Sequence, residues 1–172
     1  LALGLPAAAW SQALPQPRAA QTSPAPTPNA PVYSPRSEPM AFRLLSGKGP
    51  GGAPQWIEAA GQIRLDTPKA FEAFRNANKL DGLPVVLDST GGSVIGALIV
   101  GRAMRALNLA TSVGRTIDTD RGPAIRSRDV LCASACVLLL AAGKERQVAS
   151  DARIGLHMFG LSVNADGQRA RD

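Results

Sequence analysis

The feature that most constrains the fold is a short apolar strand followed by a glycine turn and a long apolar helix. Residues 84–88 (Pro-Val-Val-Leu-Asp) have the length and the content of a buried strand, and Gly91 and Gly92 follow in a tight turn. Residues 93–107 then continue as a helix that is apolar nearly all round. A strand joined in this way to a helix is typical of a parallel sheet covered by helices.

The same alternation extends over the rest of the folded part. A polar, arginine-rich stretch at 115–130 is expected to be a surface loop. The remaining expected elements are strands within 56–66 (broken by Gly61), a helix opened by Thr67 and Pro68, strands at 110–114, 147–148 and 153–157, and a buried helix at 132–142. The order predicts one α/β domain with a largely parallel sheet.

The first 39 residues differ in composition from the rest. Residues 1–10 are apolar and small residues follow at Ser11 and Ala13, which is typical of the end of a secretory signal peptide. The alternative is a piece of hydrophobic helix or anchor, although ten residues are too few to span a bilayer. Residues 14–39 hold eight of the 14 prolines, which predicts a disordered linker, a tether or a simple spacer.

The sequence therefore predicts three segments and an exported, periplasmic protein. The segments are a signal-peptide remnant at 1–13, a proline-rich linker at 14–39 and a folded domain at 40–172. The last residues, 167–172, stop without a closing structural element, so the domain is expected to be incomplete.

The charge pattern argues against nucleic acid as a partner. The net charge is +6, but the basic residues are scattered and aromatic residues make up only 4% of the chain. A nucleic-acid surface needs clustered basic side chains, with aromatic rings among them for single strands. The sequence therefore predicts no nucleic-acid binding.

Three parts of the chain carry residues able to perform chemistry, and each also has a purely structural interpretation. The turn at 88–93 exposes backbone amides as an oxyanion hole or an anion pocket, or is simply a glycine turn. Ser134, between two alanines, is a nucleophile or a helix N-cap. His157, the single histidine, is a general base or an ordinary surface or core residue.

Taken together, the order and spacing of these parts resemble the ClpP-type serine proteases of the ClpP/crotonase superfamily. The match covers roughly residues 56–160, and its Cys-Ala-Ser-Ala-Cys variant looks most like an uncharacterised periplasmic branch. The stretches that carry it are Ser89-Thr-Gly-Gly-Ser93, Ala133-Ser-Ala-Cys136, Leu139-Leu-Ala-Ala-Gly143 and Arg153-Ile-Gly-Leu-His157.

The resemblance implies a spiral of β-β-α units and a set of roles for individual residues. It makes Ser134 the nucleophile, His157 the general base, and the amides of Gly92 and Ala135 the oxyanion hole. The acid that orients the histidine is expected beyond Asp172. The available acids Asp151 and Asp166 have no supporting spacing and are not assigned.

The resemblance also bears on partners and cofactors. It implies a peptide or protein substrate, homo-oligomers and no cofactor. An exported protein would not meet the cytosolic ATPase that serves these proteases, so no ATPase partner is expected. The stretch at 115–130 is longer than the corresponding connection in the cylinder-forming proteases. A longer loop at this point would reshape the substrate channel or alter oligomerisation.

The two cysteines flank Ser134 at a spacing of four residues. With a single histidine in the chain, Cys132 and Cys136 lack the further ligands that a zinc site needs, so no metal is predicted. Redox pairs usually have two intervening residues, not three. Two alternatives remain: a disulfide that stiffens the turn around Ser134, and a pair in which Cys136 is a small buried apolar residue.

Three functions follow from these observations. The leading hypothesis is a serine hydrolase, most simply a peptidase, that acts through an acyl-enzyme. The second is a catalytically inactive ClpP-fold module for binding or assembly, since a fold by itself does not establish activity. The third is a crotonase-like acyl-CoA enzyme, which also uses two backbone amides but gives no reason for Ser134 together with His157.

Overall fold

The computed structural model describes residues 35–157. The predicted signal remnant at 1–13, most of the predicted linker, Asp166 and the predicted chain end lie outside the described residues. The described elements are short 3-10 helices at Pro35–Ser37 and Pro50–Gly52, strands β1 (Ala41–Ser46), β2 (Gln55–Ala60), β3 (Pro84–Asp88), β4 (Ala110–Val113), β5 (Arg115–Thr119), β6 (Gly122–Arg126), β7 (Leu131–Ala133), β8 (Arg146–Val148) and β9 (Arg153–Gly155), and helices α1 (Thr67–Ala77), α2 (Val94–Ala106) and α3 (Cys136–Ala142).

The main sheet has five strands in the order β1-β2-β3-β4-β8. Strand β1 runs antiparallel to β2, and the other neighbours are parallel, with Ile57 beside Val85 and Val113 beside Val148. The prediction of an α/β domain with a largely parallel sheet is therefore confirmed at this level. The order follows the chain because each parallel pair needs a crossover, and helices supply it.

A second set of pairings runs alongside the main sheet. A short extended segment follows each of β2, β3 and β8, and another follows the β5–β6 hairpin. Each of these segments pairs with the next one along the chain. The pairs are Ile63 with Gly92, Ser89 with Cys132, and β7 with β9. These pairings bring the glycine turn after β3 beside the serine after β7.

One apolar core lies between the main sheet and the helices. It combines strand residues such as Ile57 and Val85 with Val100 and Met104 of α2 and Leu139 of α3, all 1% exposed or less. Burying a side chain of this size contributes about 1.5–3 kcal/mol, so this core is the main source of stability. Helices α2 and α3 approach closely at Gly101, where an added Cβ would lie 3.1 Å from the Cβ of Ala142.

The prediction that 115–130 is a surface loop is wrong. Residues 115–126 form the antiparallel hairpin β5–β6, with Thr116 opposite Ile125. The hairpin contacts the main sheet through Trp56, which is fully buried and donates its indole N–H to the hydroxyl of Thr116 at 3.1 Å. The polar residues of this segment concealed the pairing because only one face of the hairpin packs against the sheet.

Two further boundaries differ from the prediction. The helix expected at 132–142 begins at Cys136, and Cys132 belongs to strand β7 instead. The strand expected at 153–157 ends at Gly155. The alanines and cysteines at 132–136 fit a helix as well as a strand, and only the pairing of β7 on both sides decides between them.

The folded domain also begins before Met40. The segment 36–39, predicted as the end of the disordered linker, packs against the domain, since Pro39 pairs with Gln62 and the amide of Gln62 donates to the carbonyl oxygen of Glu38 at 2.7 Å. Proline content alone could not reveal these contacts, because they depend on residues far along the chain.

Candidate active site

Ser134 lies in the turn between β7 and α3, in a left-handed backbone conformation. Its φ is +53°, and the other non-glycine residues with positive φ in the described part of the chain are Asn108 and Asp129. Asn and Asp tolerate this region more readily than serine, so a serine there is strained by roughly 1–2 kcal/mol. A strained residue that the surrounding structure holds in place is a signal of function.

Strand β7 is held on both sides directly before this serine. On one side, the amide of Ser89 donates to Leu131 at 2.8 Å and the carbonyl of Ser89 accepts from Ala133 at 3.0 Å. On the other side, β7 pairs with β9, and the amide of Ser134 donates to the carbonyl oxygen of Gly155 at 2.8 Å. These bonds fix the backbone at which the unusual φ occurs.

The cysteines form a disulfide that spans Ser134. Cys132 is in β7 and Cys136 begins α3, their Cα atoms lie 5.3 Å apart, and both residues are fully buried. The bridge crosses the turn from the strand to the helix and does not lie within one helix. A covalent link across the turn restricts the positions that Ser134 can adopt.

The glycine turn packs directly against Ser134. At Gly91, where φ is +95°, an added Cβ would lie 2.7 Å from the Cβ of Ser134 and 2.8 Å from the amide nitrogen of Ala135. Glycine is required here both for the conformation and for the close approach. The buried hydroxyl of Ser89 accepts from the amide of Gly91 at 3.1 Å and so shapes the same turn.

The two predicted oxyanion-hole amides can be oriented from their peptide planes. The carbonyl of Gly91 accepts from Ile63 at 2.8 Å, and in a trans peptide the N–H of Gly92 points the opposite way, away from Ile63. The carbonyl of Ser134 accepts from Val137 at 3.0 Å, so the N–H of Ala135 points away from the helix. The two amides lie in adjoining segments, since Gly91, directly before Gly92, packs against the amide nitrogen of Ala135.

His157 follows β9, two residues after Gly155. The register places Ala133 beside Gly155, and a Cβ at Gly155 would lie 2.9 Å from the Cβ of Ala133, so the absence of a side chain lets the two strands approach. The backbone bond from Ser134 to Gly155 ties the serine turn to β9, which ends two residues before His157, and His157 is exposed.

The acid that would orient the histidine is not identified in the described residues. Asp151 accepts a hydrogen bond from the hydroxyl of Ser127 at 3.1 Å and lies 3.6 Å from the guanidinium of Arg128. Asp166 lies outside the described residues. Within 35–157, no group of three or more His, Cys, Asp or Glu side chains is arranged to hold a metal ion.

Sequence reasoning missed a buried carboxylate beside the site. Asp88, 1% exposed at the end of β3, accepts from Arg36 and Arg115 at 2.6 Å each and from the amide of Leu131 at 3.2 Å. An Asp that ends an apolar strand directly before the glycine turn is a signal that could have been noticed. No sequence pattern indicates that Arg36 and Arg115 pair with this carboxylate, because both are far from Asp88 along the chain.

Comparisons with known proteins give no match. No protein-family model, curated protein or solved structure shows significant similarity to this chain. None of the helices in the described segment is long and apolar enough to cross a lipid bilayer.

Proposed function

We propose that this protein is an exported serine hydrolase of the peptidase type, built on a ClpP/crotonase-like spiral of β-β-α units. The pairings support the spiral, because β2 and β3 are each followed by a short extended segment and then by a helix. A third unit has the same order with a hairpin inserted between β4 and β7. Successive units lie side by side in both sets of strand pairings.

One observation carries the proposal. Ser134 is strained at φ +53°, lies against Gly91, and donates its amide to the strand that leads to His157. The structural alternative, a helix N-cap, does not apply to Ser134, because the N-cap of α3 is Ala135 and no side chain caps this helix start. A nucleophile needs this arrangement, since its hydroxyl has to be presented beside two backbone amides.

In the proposed mechanism, the hydroxyl oxygen of Ser134 attacks the carbonyl carbon of a peptide bond while His157 accepts the hydroxyl proton. The oxygen that becomes negative accepts hydrogen bonds from the amides of Gly92 and Ala135. His157 then donates the proton to the leaving amine, which produces an acyl-enzyme. Water, deprotonated by His157, hydrolyses the ester and regenerates Ser134. Neither acylation nor hydrolysis of the acyl-enzyme requires a cofactor in this mechanism.

The test is covalent labelling of the full chain with a fluorophosphonate, followed by peptide mapping. We expect a phosphonyl adduct on Ser134 in the native protein and none in Ser134→Ala. His157→Gln is expected to lower the labelling rate by about 10²–10⁴-fold, as for the loss of a general base. Ser127→Ala is the matched control, because this hydroxyl bonds Asp151 away from the glycine turn. Absence of an adduct on Ser134, while a reference serine protease labels, would refute the proposal.

A second candidate function is binding or assembly without catalysis. Helix α2 exposes an apolar stripe, defined here as Ile95, Leu98 and Ile99, whose side chains are 57%, 45% and 49% exposed. Leu65, 75% exposed, precedes α1, which packs against α2. Contiguous apolar surface of this kind favours association with another protein surface, and homo-oligomers are the simplest case.

The proposed export to the periplasm is supported by the disulfide. Bonds between cysteines persist in oxidising compartments and are rare in the reducing cytosol. An exported hydrolase of this kind would act on peptides or proteins without a cytosolic ATPase. Detection of the native protein in a periplasmic extract, with a cytosolic marker as control, tests this part of the proposal.

A further inference from the structure

Arg36 joins the two chain segments that carry the candidate active site. Its guanidinium donates to the carboxylate of Asp88 at 2.6 Å and to the carbonyl oxygen of Asp129. Its own carbonyl oxygen lies 3.5 Å from the hydroxyl of Thr90. Asp88 and Thr90 lead into the turn with Gly92, whereas Asp129 leads into β7 and Ser134.

The carboxylate of Asp88 depends on this contact because it is buried. One of its oxygens accepts from Arg36 and from the amide of Leu131, the first residue of β7, and the other accepts from Arg115. A buried carboxylate that loses a charged partner moves toward solvent or draws in water. Either response would shift the start of β7 relative to β3.

We infer that Arg36 is a positioning residue, which holds the Ser134 strand and the Gly92 turn in register through Asp88 and thereby couples the end of the proline-rich segment to the candidate active site. This inference rests on the proposed function. The hydrogen bonds of Arg36 within residues 35–157 go to Asp88, Asp129 and Thr90, so its effect on Ser134 is on alignment. Alignment errors of about 1 Å between a nucleophile and its substrate can lower rates by about a hundredfold.

The experiment compares labelling kinetics of Arg36→Ala with those of the full native chain. The fluorophosphonate concentration is varied to separate the apparent binding constant from the maximal labelling rate of Ser134. We expect the maximal rate to fall by about ten- to a hundredfold and the binding constant to change less than about twofold. Arg36→Lys should restore part of the rate, because one ammonium replaces the charge but not the planar fork that reaches two acceptors.

Arg43→Ala is the matched control. Arg43 also pairs through its Nε with a buried carboxylate, that of Glu58 at 2.5 Å, but it lies on β1 away from the glycine turn. A loss of rate in Arg43→Ala equal to that in Arg36→Ala would overturn the inference, as would an unchanged rate in Arg36→Ala. Arg36→Gln serves if the alanine variant does not fold, with the same expected direction.

Hydrogen exchange separates this inference from the proposed function. Peptides that cover 89–93 and 130–135 are expected to exchange about tenfold faster in Arg36→Ala than in the native chain, and to be unchanged in Arg43→Ala. If the native chain shows no labelling at Ser134 but exchange changes as expected, the serine hydrolase is refuted and the coupling of the two segments remains. If exchange is also unchanged, both are refuted.

Discussion

The backbone amide of Ser134 donates a 2.8 Å hydrogen bond to the carbonyl oxygen of Gly155, two residues before the single histidine of the chain. This bond continues the pairing of β7 with β9 for one residue beyond the strand. It makes the position of the candidate nucleophile depend on the strand that leads to the candidate base. The two are 23 positions apart in sequence, and the sheet brings Ser134 to Gly155, two residues before the candidate base.

Ser134→Gly is expected to be more stable than Ser134→Ala, and both are expected to abolish the reaction with a fluorophosphonate. Glycine adopts positive φ without a Cβ clash, so the free energy of unfolding should rise by about 0.5–1 kcal/mol relative to Ser134→Ala, which keeps the strain. Urea unfolding of both variants measures the difference. Equal stabilities would show that the left-handed conformation at this position is not strained.

Gly91→Ala is expected to damage both the fold and the site. An added Cβ would lie 2.5 Å from the carbonyl oxygen of Ala133, and it would also require a non-glycine residue at φ +95°. We expect a loss of about 3 kcal/mol or more in the free energy of unfolding and loss of labelling at Ser134.

The matched control for this change is Gly82→Ala. Gly82 also has positive φ, +72°, but nothing lies within 4 Å of an added Cβ. Gly82→Ala should therefore lower the free energy of unfolding only by the cost of a positive φ in alanine, about 1–2 kcal/mol. The labelling rate of Ser134 should be unchanged. Equal losses of stability and labelling in the two variants would contradict the close packing of Gly91 against the serine turn.

The disulfide between Cys132 and Cys136 predicts that native protein has no free thiol. Intact mass after alkylation without reductant should show no added alkyl group, and two after reduction in denaturant. Replacing both cysteines with alanine should lower the free energy of unfolding by about 2 kcal/mol, the value for closing so short a loop. Two alkylated thiols in the native protein would refute the bridge.

The apolar stripe on α2 predicts self-association. Ile95→Asp should shift the sedimentation profile toward the monomer without loss of stability, because an acidic residue in the first turn of a helix is tolerated. Ile117→Asp is the control, since Ile117 is also exposed, at 37%, but lies on the β5–β6 hairpin. The same profile for the native chain and both variants would count against this surface as an interface.

The parallel strands of the main sheet and the helices that connect them could be predicted because they depend on local patterns, whereas the antiparallel strand β1 was not predicted. The strand β3 is a short apolar run, α2 is a long one, and two glycines lie between them. The hairpin within 115–130 could not be predicted from its polar residues. One of its faces packs against the main sheet, and this packing depends on the contact of Thr116 with the distant Trp56. Strand β7 was predicted as helix because three residues carry no decisive period.

The sequence by itself determined which residues can do chemistry: one histidine, a serine between two cysteines, and a glycine pair at a strand end. Only the tertiary structure decided how they meet. The strained backbone of Ser134 is held by segments far apart along the chain, and Gly91 is one of its contacts. The buried cluster of Asp88 with Arg36 and Arg115 also joins distant segments. Such contacts leave no local pattern, because their energies come from partners that are adjacent only after folding.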